Sequence, residues 1–217
     1  MRTRYTNARQ EKTMSDKSVS FTVFIDFVTA TGISRLTKAR NAKKQAEEDY
    51  DPKTDFYKPL RDTIIQMHEE GKGKSVLNDF LEGPIYPRKL GHYRDCIQSY
   101  IKWMGRKNFE WSGCTTVHWK HGDIDIRVTP ELGLRINGQE HLVKLHFKPP
   151  ELSKRQIECL LHLMHVTKPK SKKTCTVGIL DIRRAKLITP TRQIPGIDAW
   201  LQGEASAMST MWDQVEI

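Results

Sequence analysis

Near Trp111 the spacing of apolar residues changes from a period of three to four to a period of two, and this switch divides the 217-residue chain into a helical part and a strand-rich part. Upstream, Ser20 stands ahead of Phe21, Phe24, Ile25 and Val28, a capping residue before a helical stripe. Gly32 interrupts, and a second helix is expected over residues 34–49. It carries Arg35, Lys38, Arg40, Lys43 and Lys44 and closes on Glu47, Glu48 and Asp49. Acidic residues at a helix C-terminus oppose its dipole, so two roles are open to the basic run: a solvated face, or contact with phosphate. A third stripe, Phe56, Leu60, Ile64 and Met67, has Pro59 in its first turn, where a missing N–H does no harm. A short helix over 76–81 ends at Gly83-Pro84. The longest helix signal runs from Leu90 to Met104, with Tyr93, Ile97, Tyr100 and Ile101 on one side. Residues 19–108 thus read as a helical region behind a flexible basic arm, residues 1–18.

Downstream, residues 115–120 alternate, and a turn at His121-Gly122-Asp123 leads into Ile124–Val128. Leu132–Ile136 meets Asn137-Gly138, and Asn-Gly between alternating runs is the strongest short hairpin signal available. The next run, 141–148, ends at Pro149-Pro150. Beyond it Ile157, Leu160, Leu161 and Met164 share a helical face, Thr176–Ile182 reads as a buried strand, and 197–215 as a closing helix. The expected fold class is α/β (α+β): a helical N-terminal region, a βββαβ core over 109–217, and a C-terminal helix.

Charge says what such a chain meets. Lys and Arg number 36 against 26 Asp and Glu, a formal net charge of +10. That excess favours a polyanion through long-range attraction and counterion release, so DNA or RNA is the expected partner, with a protein partner as the alternative. No apolar run approaches the roughly 18–20 residues that cross a bilayer, and Met1-Arg2-Thr3-Arg4 lacks the apolar stretch of a secretion signal. No membrane is expected as a partner, and the expected compartment is cytoplasmic. Cys96, Cys114, Cys159 and Cys175 are widely spaced without a Cys-x-x-Cys pair, which points to reduced thiols and away from structural zinc. His162 and His165 share a helical edge at a spacing of three, a metal pair or simply a half-exposed edge. No Gly-x4-Gly-Lys-Ser/Thr loop is present to cradle nucleotide phosphates. Tyr93 to Lys107 looks like the helical DNA-binding piece of phage-integrase-like recombinases, but no Tyr follows Tyr100 to act as their nucleophile.

A three-stranded meander followed by a helix and a further strand resembles the core layout of the PD-(D/E)xK nuclease-like superfamily, over roughly residues 110–190. In that superfamily a carboxylate near the second strand and a (D/E)-x-K on the third hold magnesium and activate water. A hard cation wants oxygen ligands, and the lysine stabilises the attacking hydroxide or the developing phosphorane charge. Here Pro130-Glu131 stands at the proline–aspartate position and His146-Phe147-Lys148 at the (D/E)-x-K position. The resemblance implies Glu131, His146 and Lys148 as catalytic residues, Glu131 and Asp125 as ligands of Mg2+, and Glu110, Asp123, Gln156 or Glu158 as neighbouring support. His146 departs from the pattern, since an imidazole offers one nitrogen where a carboxylate offers charged oxygen, and this weakens magnesium binding. Lys144 and His146 also alternate with Val143, Leu145 and Phe147, as the polar face of any ordinary strand does. Three functions follow. The first is a nucleic-acid-associated binding or scaffolding protein on a degenerate core, with Arg35, Lys38, Arg40, Lys43, Lys170, Lys172, Lys173, Arg183 and Arg184 as phosphate contacts. The second is a Mg-dependent nuclease hydrolysing phosphodiesters with Glu131 and Lys148. The third is a protein-interaction subunit of a larger complex with no nucleic-acid role.

Overall fold

A computed structural model describes residues 17–48, 55–192 and 194–217. The arm expected over 1–18 therefore lies outside the described residues except for Lys17 and Ser18, which open the first strand. The elements are β1 (Lys17–Ser20), α1 (Phe21–Val28), α2 (Ser34–Glu47), α3 (Lys58–Glu69), α4 (Ser75–Glu82), α5 (Pro87–Met104), β2 (Phe109–Trp111), β3 (Val117–His121), β4 (Ile124–Val128), β5 (Leu132–Ile136), β6 (Gln139–His146), α6 (Lys154–Val166), β7 (Thr176–Asp181), β8 (Lys186–Ile188) and α7 (Ile197–Gln214). Local chemistry sets several of their starts. Ser20 accepts from the Val23 N–H at 3.3 Å to cap α1, and Ser153 and Gln156 form a reciprocal capping box on α6. Proline occupies the first turn of α3 and of α5.

The α/β class holds, but the strands are shared between two sheets. Five strands run in the order β2-β5-β6-β7-β8, with β6 and β7 parallel and the other pairs antiparallel. Three more run β1-β4-β3, with β1 parallel to β4. The continuous meander expected from residue 115 onward is therefore corrected: β4 and β5 do not pair. Both edges of β4 are occupied, by β3 on one side and by Lys17–Ser20 on the other, so β5 has no edge to join there. The chain leaves through Thr129 and the buried Pro130, which has no N–H to extend the ladder, and β5 pairs instead with β2 and β6.

Helices cover both faces of the five-stranded sheet. On one side α1, α2, α6 and α7 pack with β4 against Leu142, Val177 and Ile179; on the other α3, α4 and α5 pack against Leu132, Leu134, Val143, Leu145 and Leu180. Neighbouring residues of β6 and β7 thus enter opposite cores, as a parallel pair buried on both faces requires. The helical stretch 19–108 is divided between these two cores rather than forming a body of its own. Among the described residues no helix is long and apolar enough to cross a membrane. All four cysteines are free thiols.

Two positions make this packing testable. A Cβ on Gly133 would lie 1.9 Å from the Gly113 carbonyl oxygen, because the Ser112 N–H donates to the Gly133 carbonyl at 2.8 Å and holds the two chains together. Gly133→Ala is expected to lose about 3 kcal/mol or more in urea unfolding, the upper end of overpacking costs. Gly203→Ala, in α7 where nothing lies within 4 Å, is expected to gain up to about 1 kcal/mol. The second position is His68, 6% exposed between α3 and α5, where its ring shares a 2.6 Å hydrogen bond with the Tyr100 hydroxyl. Burial pushes its pKa down from 6.5 to about 4, so the unfolded chain takes up this proton first as the pH falls. Its contribution is complete above about pH 6.5 and is lost progressively toward pH 4, by up to about 3 kcal/mol. Urea midpoints at about pH 7 and about pH 5 should separate in the wild type and draw together in His68→Gln.

Candidate functional site

The hairpin turn positions the candidate residues. Asn137 and Gly138 both have positive φ, 48° and 86°, the geometry of a two-residue turn that matches strand twist. It pairs Ile136 with Gln139, and counting outward pairs Leu132 with Val143. One further step sets Glu131 across from Lys144, and the Glu131 N–H continues the ladder by donating to the Val143 carbonyl at 3.0 Å. One carboxylate oxygen of Glu131 accepts from the Lys144 ammonium, and the other accepts from the Leu145 N–H at 2.8 Å. The two side chains are 9% and 18% exposed, and the Lys144 amine also lies 5.0 Å above the ring of Phe21 at the start of α1.

The amine beside Glu131 is thus that of Lys144; Lys148 stands two residues past the end of β6, exposed. It lines a cleft of about 560 Å³ with Pro149, Pro150, Glu151, Asp181, Arg183 and Arg184, at the carboxyl edge of β6 and β7. His146 is half-buried there, its Nε2 donating to the Pro150 carbonyl at 3.3 Å. Its register partner on β7 is Asp181, which is buried and accepts from the Arg184 N–H at 3.3 Å. Sequence reading passed over Asp181, although an acid closing the apolar run Val177–Leu180 is a visible signal. Arg184 pairs with Glu151, while the exposed Arg183 approaches the hydroxyl of Tyr57, whose ring stacks on Phe147 at 5.2 Å. Burial pushes the Tyr57 hydroxyl up. Behind it Asp55 pairs with Arg61 at 2.8 Å. Burial opposes ionisation of Asp55, yet the Arg61 hydrogen bond and charge, the Tyr57 N–H and the charge of Lys148 together hold its carboxyl below the usual range.

The remaining expected ligands have partners elsewhere. Asp125 lies on β4 in the other sheet and accepts from His118 Nδ1 at 2.7 Å, so it and Glu131 are held by different partners in different sheets. Asp123 pairs with Lys17, and Glu110 pairs with Arg135 at 2.9 Å. Gln156 belongs to the α6 capping box, Glu158 is 3.9 Å from Lys154, and His162 faces Asp198 at 3.3 Å. Among the described residues no group of three or more His, Cys, Asp or Glu is placed to hold a metal ion.

The basic positions divide in the same way. Arg35 pairs with Glu204 and covers the Phe27 ring, Lys43 donates to the Val215 carbonyl at 3.0 Å, and Lys172 reaches the Ser112 carbonyl at 2.8 Å and Glu140 at 3.3 Å. These heads hold the fold together. Lys38, Arg40, Lys170 and Lys173 are exposed.

Compared with protein-family models, curated proteins and solved structures, the chain matches none.

The Glu131–Lys144 pair carries its own expectation. Glu131→Gln leaves a largely covered ammonium without its counter-charge and should lose about 2–3 kcal/mol in urea unfolding, most of which Lys144→Met restores in the double variant. Lys148→Ala, at an exposed position, should stay within about 0.5 kcal/mol of wild type.

Proposed function

We propose that this protein binds nucleic acid along the cationic rim at the carboxyl edge of β6 and β7, on a degenerate nuclease-like core that does not cut what it holds. The layout supports the kinship: β2, β5 and β6 form an antiparallel triplet, α6 crosses over, and β7 returns parallel to β6, with the β3–β4 hairpin inserted between the first and second strands. Glu131 then heads the second strand, and His146-Phe147-Lys148 closes the third.

The carrying observation is the state of Glu131. Both of its oxygens are engaged, one by an ammonium and one by a backbone N–H, while Lys148 and Arg183 stand exposed outside it. A neutralised carboxylate rimmed by cations attracts phosphate, whereas Mg2+ wants carboxylate and water oxygens that are free to turn toward it. Hydrolysis would require Glu131 to exchange Lys144 for the cation.

Fluorescence anisotropy with labelled duplex DNA and duplex RNA tests this. The observed affinity should fall log-linearly between about 50 and about 200 mM KCl, and Lys148→Ala combined with Arg183→Ala should flatten the slope by about two. A flat salt response in the wild type, or no binding at low salt, overturns the proposal and leaves a protein partner as the reading. Cleavage in Mg2+ or Mn2+ that Lys148→Ala abolishes would replace binding with hydrolysis.

A further inference from the structure

The outer face of the three-stranded sheet holds a second polar cluster, away from the rim of β6 and β7. Side chains alternate across a strand, and Val19, Ile124, Ile126 and Val128 fill the core, so the residues between them face outward. The register places Ser18, Asp125 and Lys120 in one cross-strand row and sets Arg127 directly across from His118 in the next.

In this cluster Asp125 is only 4% exposed, although it stands on the outward side. Its two oxygens lie 2.7 and 3.0 Å from His118 Nδ1, and the Lys120 ammonium is 3.9 Å away. A carboxylate on Nδ1 fixes the tautomer and the ring orientation and leaves Nε2 pointing away from it. The His118 side chain is 42% exposed, so the ring is presented at the surface. Arg127 is exposed beside it, with no carboxylate partner among the described residues. Directly opposed side chains have Cβ atoms roughly 4.5–5.5 Å apart, close enough for the guanidinium and the imidazole to meet the same small group. On the other side of Asp125, the Ser18 hydroxyl is buried and has no hydrogen-bond partner among the described residues. Buried polar atoms without partners are rare and mark a place where one is missing.

A solvated sheet face would account for exposed Lys120 and Arg127. It does not account for a buried carboxylate that orients an exposed imidazole, next to a buried hydroxyl that no described residue bonds. We propose that this face is a phosphate-binding site. The Arg127 fork takes two phosphate oxygens, His118 in its imidazolium form keeps Nδ1–H on Asp125 and donates Nε2–H to a third, and Lys120 supplies flanking charge. The negative charge of Asp125 is taken up by His118 and Lys120 on the same face, so it orients the site without confronting the anion. The group recognised is a phosphate, carried either by inorganic phosphate or by a nucleic-acid backbone, and the site stands independently of the β6–β7 rim.

Histidine and arginine side-chain 15N–1H NMR of the full chain decides it, with inorganic phosphate and a single-stranded trinucleotide as probes at fixed ionic strength. His118 Nε2 and Arg127 Nε should shift saturably in the wild type. Arg127→Ala, at an exposed position that leaves the fold intact, should weaken binding about tenfold or more, the loss expected for a charge-assisted pair. Asp125→Asn should weaken it by releasing the ring. In the Lys148→Ala/Arg183→Ala variant, whose rim is weakened, the His118 Nε2 and Arg127 Nε signals should still shift and saturate as in the wild type, which separates this site from the rim. A trinucleotide that binds more tightly than inorganic phosphate assigns the group to a nucleic-acid backbone, and equal affinity assigns it to free phosphate. Absence of a saturable shift with either probe, or equal affinity in Arg127→Ala, overturns the proposal.

Discussion

Strand β6 is paired on both edges, antiparallel to β5 and parallel to β7, and its side chains enter a core on each face. A slip of one residue would exchange Leu142 for Val143 between those cores and turn Lys144 from its carboxylate into the packed layer of α3 and α5. The register is therefore held by packing on two sides at once, and the Asn137-Gly138 turn, which admits one alignment, sets it locally. The Glu131–Lys144 pair, the position of His146 beside Asp181, and the projection of Lys148 beyond the strand end all follow from that alignment.

The small sheet depends on a different constraint. β4 lies at its centre, so its outward polar residues are flanked on both sides, and Asp125 is buried although none of the described core residues lies above it. The strand that completes this arrangement, β1, comes from more than 100 residues earlier in the chain, pairing Ser18 with Asp125 and Ser20 with Arg127. Lys17 ties the same strand to Asp123, Ser209 and Asp213, joining the small sheet to α7.

Much of this architecture was legible because its signals are local. The Ser20 cap, the prolines opening α3 and α5, the Asn-Gly hairpin and the apolar run of β7 each fix structure within a few residues of themselves. β1 was not legible, since Lys17-Ser18-Val19-Ser20 holds one apolar residue and pairs with a strand far along the chain. Without β1, nothing in the alternation of 115–136 reveals that β4 has no edge left for β5. The site was legible in part. Glu131 is marked by the proline before it, whereas the spacing of the motif points to Lys148. Counting outward from the Asn137-Gly138 turn leads instead to Lys144. Tyr57, Arg61 and Asp181 reach the same edge from elements whose packing no short-range pattern encodes.

The excursion from Ser112 to Gly133 starts and finishes at a single hydrogen bond in the five-stranded sheet. Its two ends are therefore neighbours whatever lies between them, and the strand order of the larger sheet is indifferent to how long the excursion is. The segment behaves as a cassette: its tip at Gly122 can be lengthened or reshaped while Glu131 re-enters at the same rung. The surface carrying His118 and Arg127 can in this way diversify without disturbing the ladder on which the rest of the molecule is assembled.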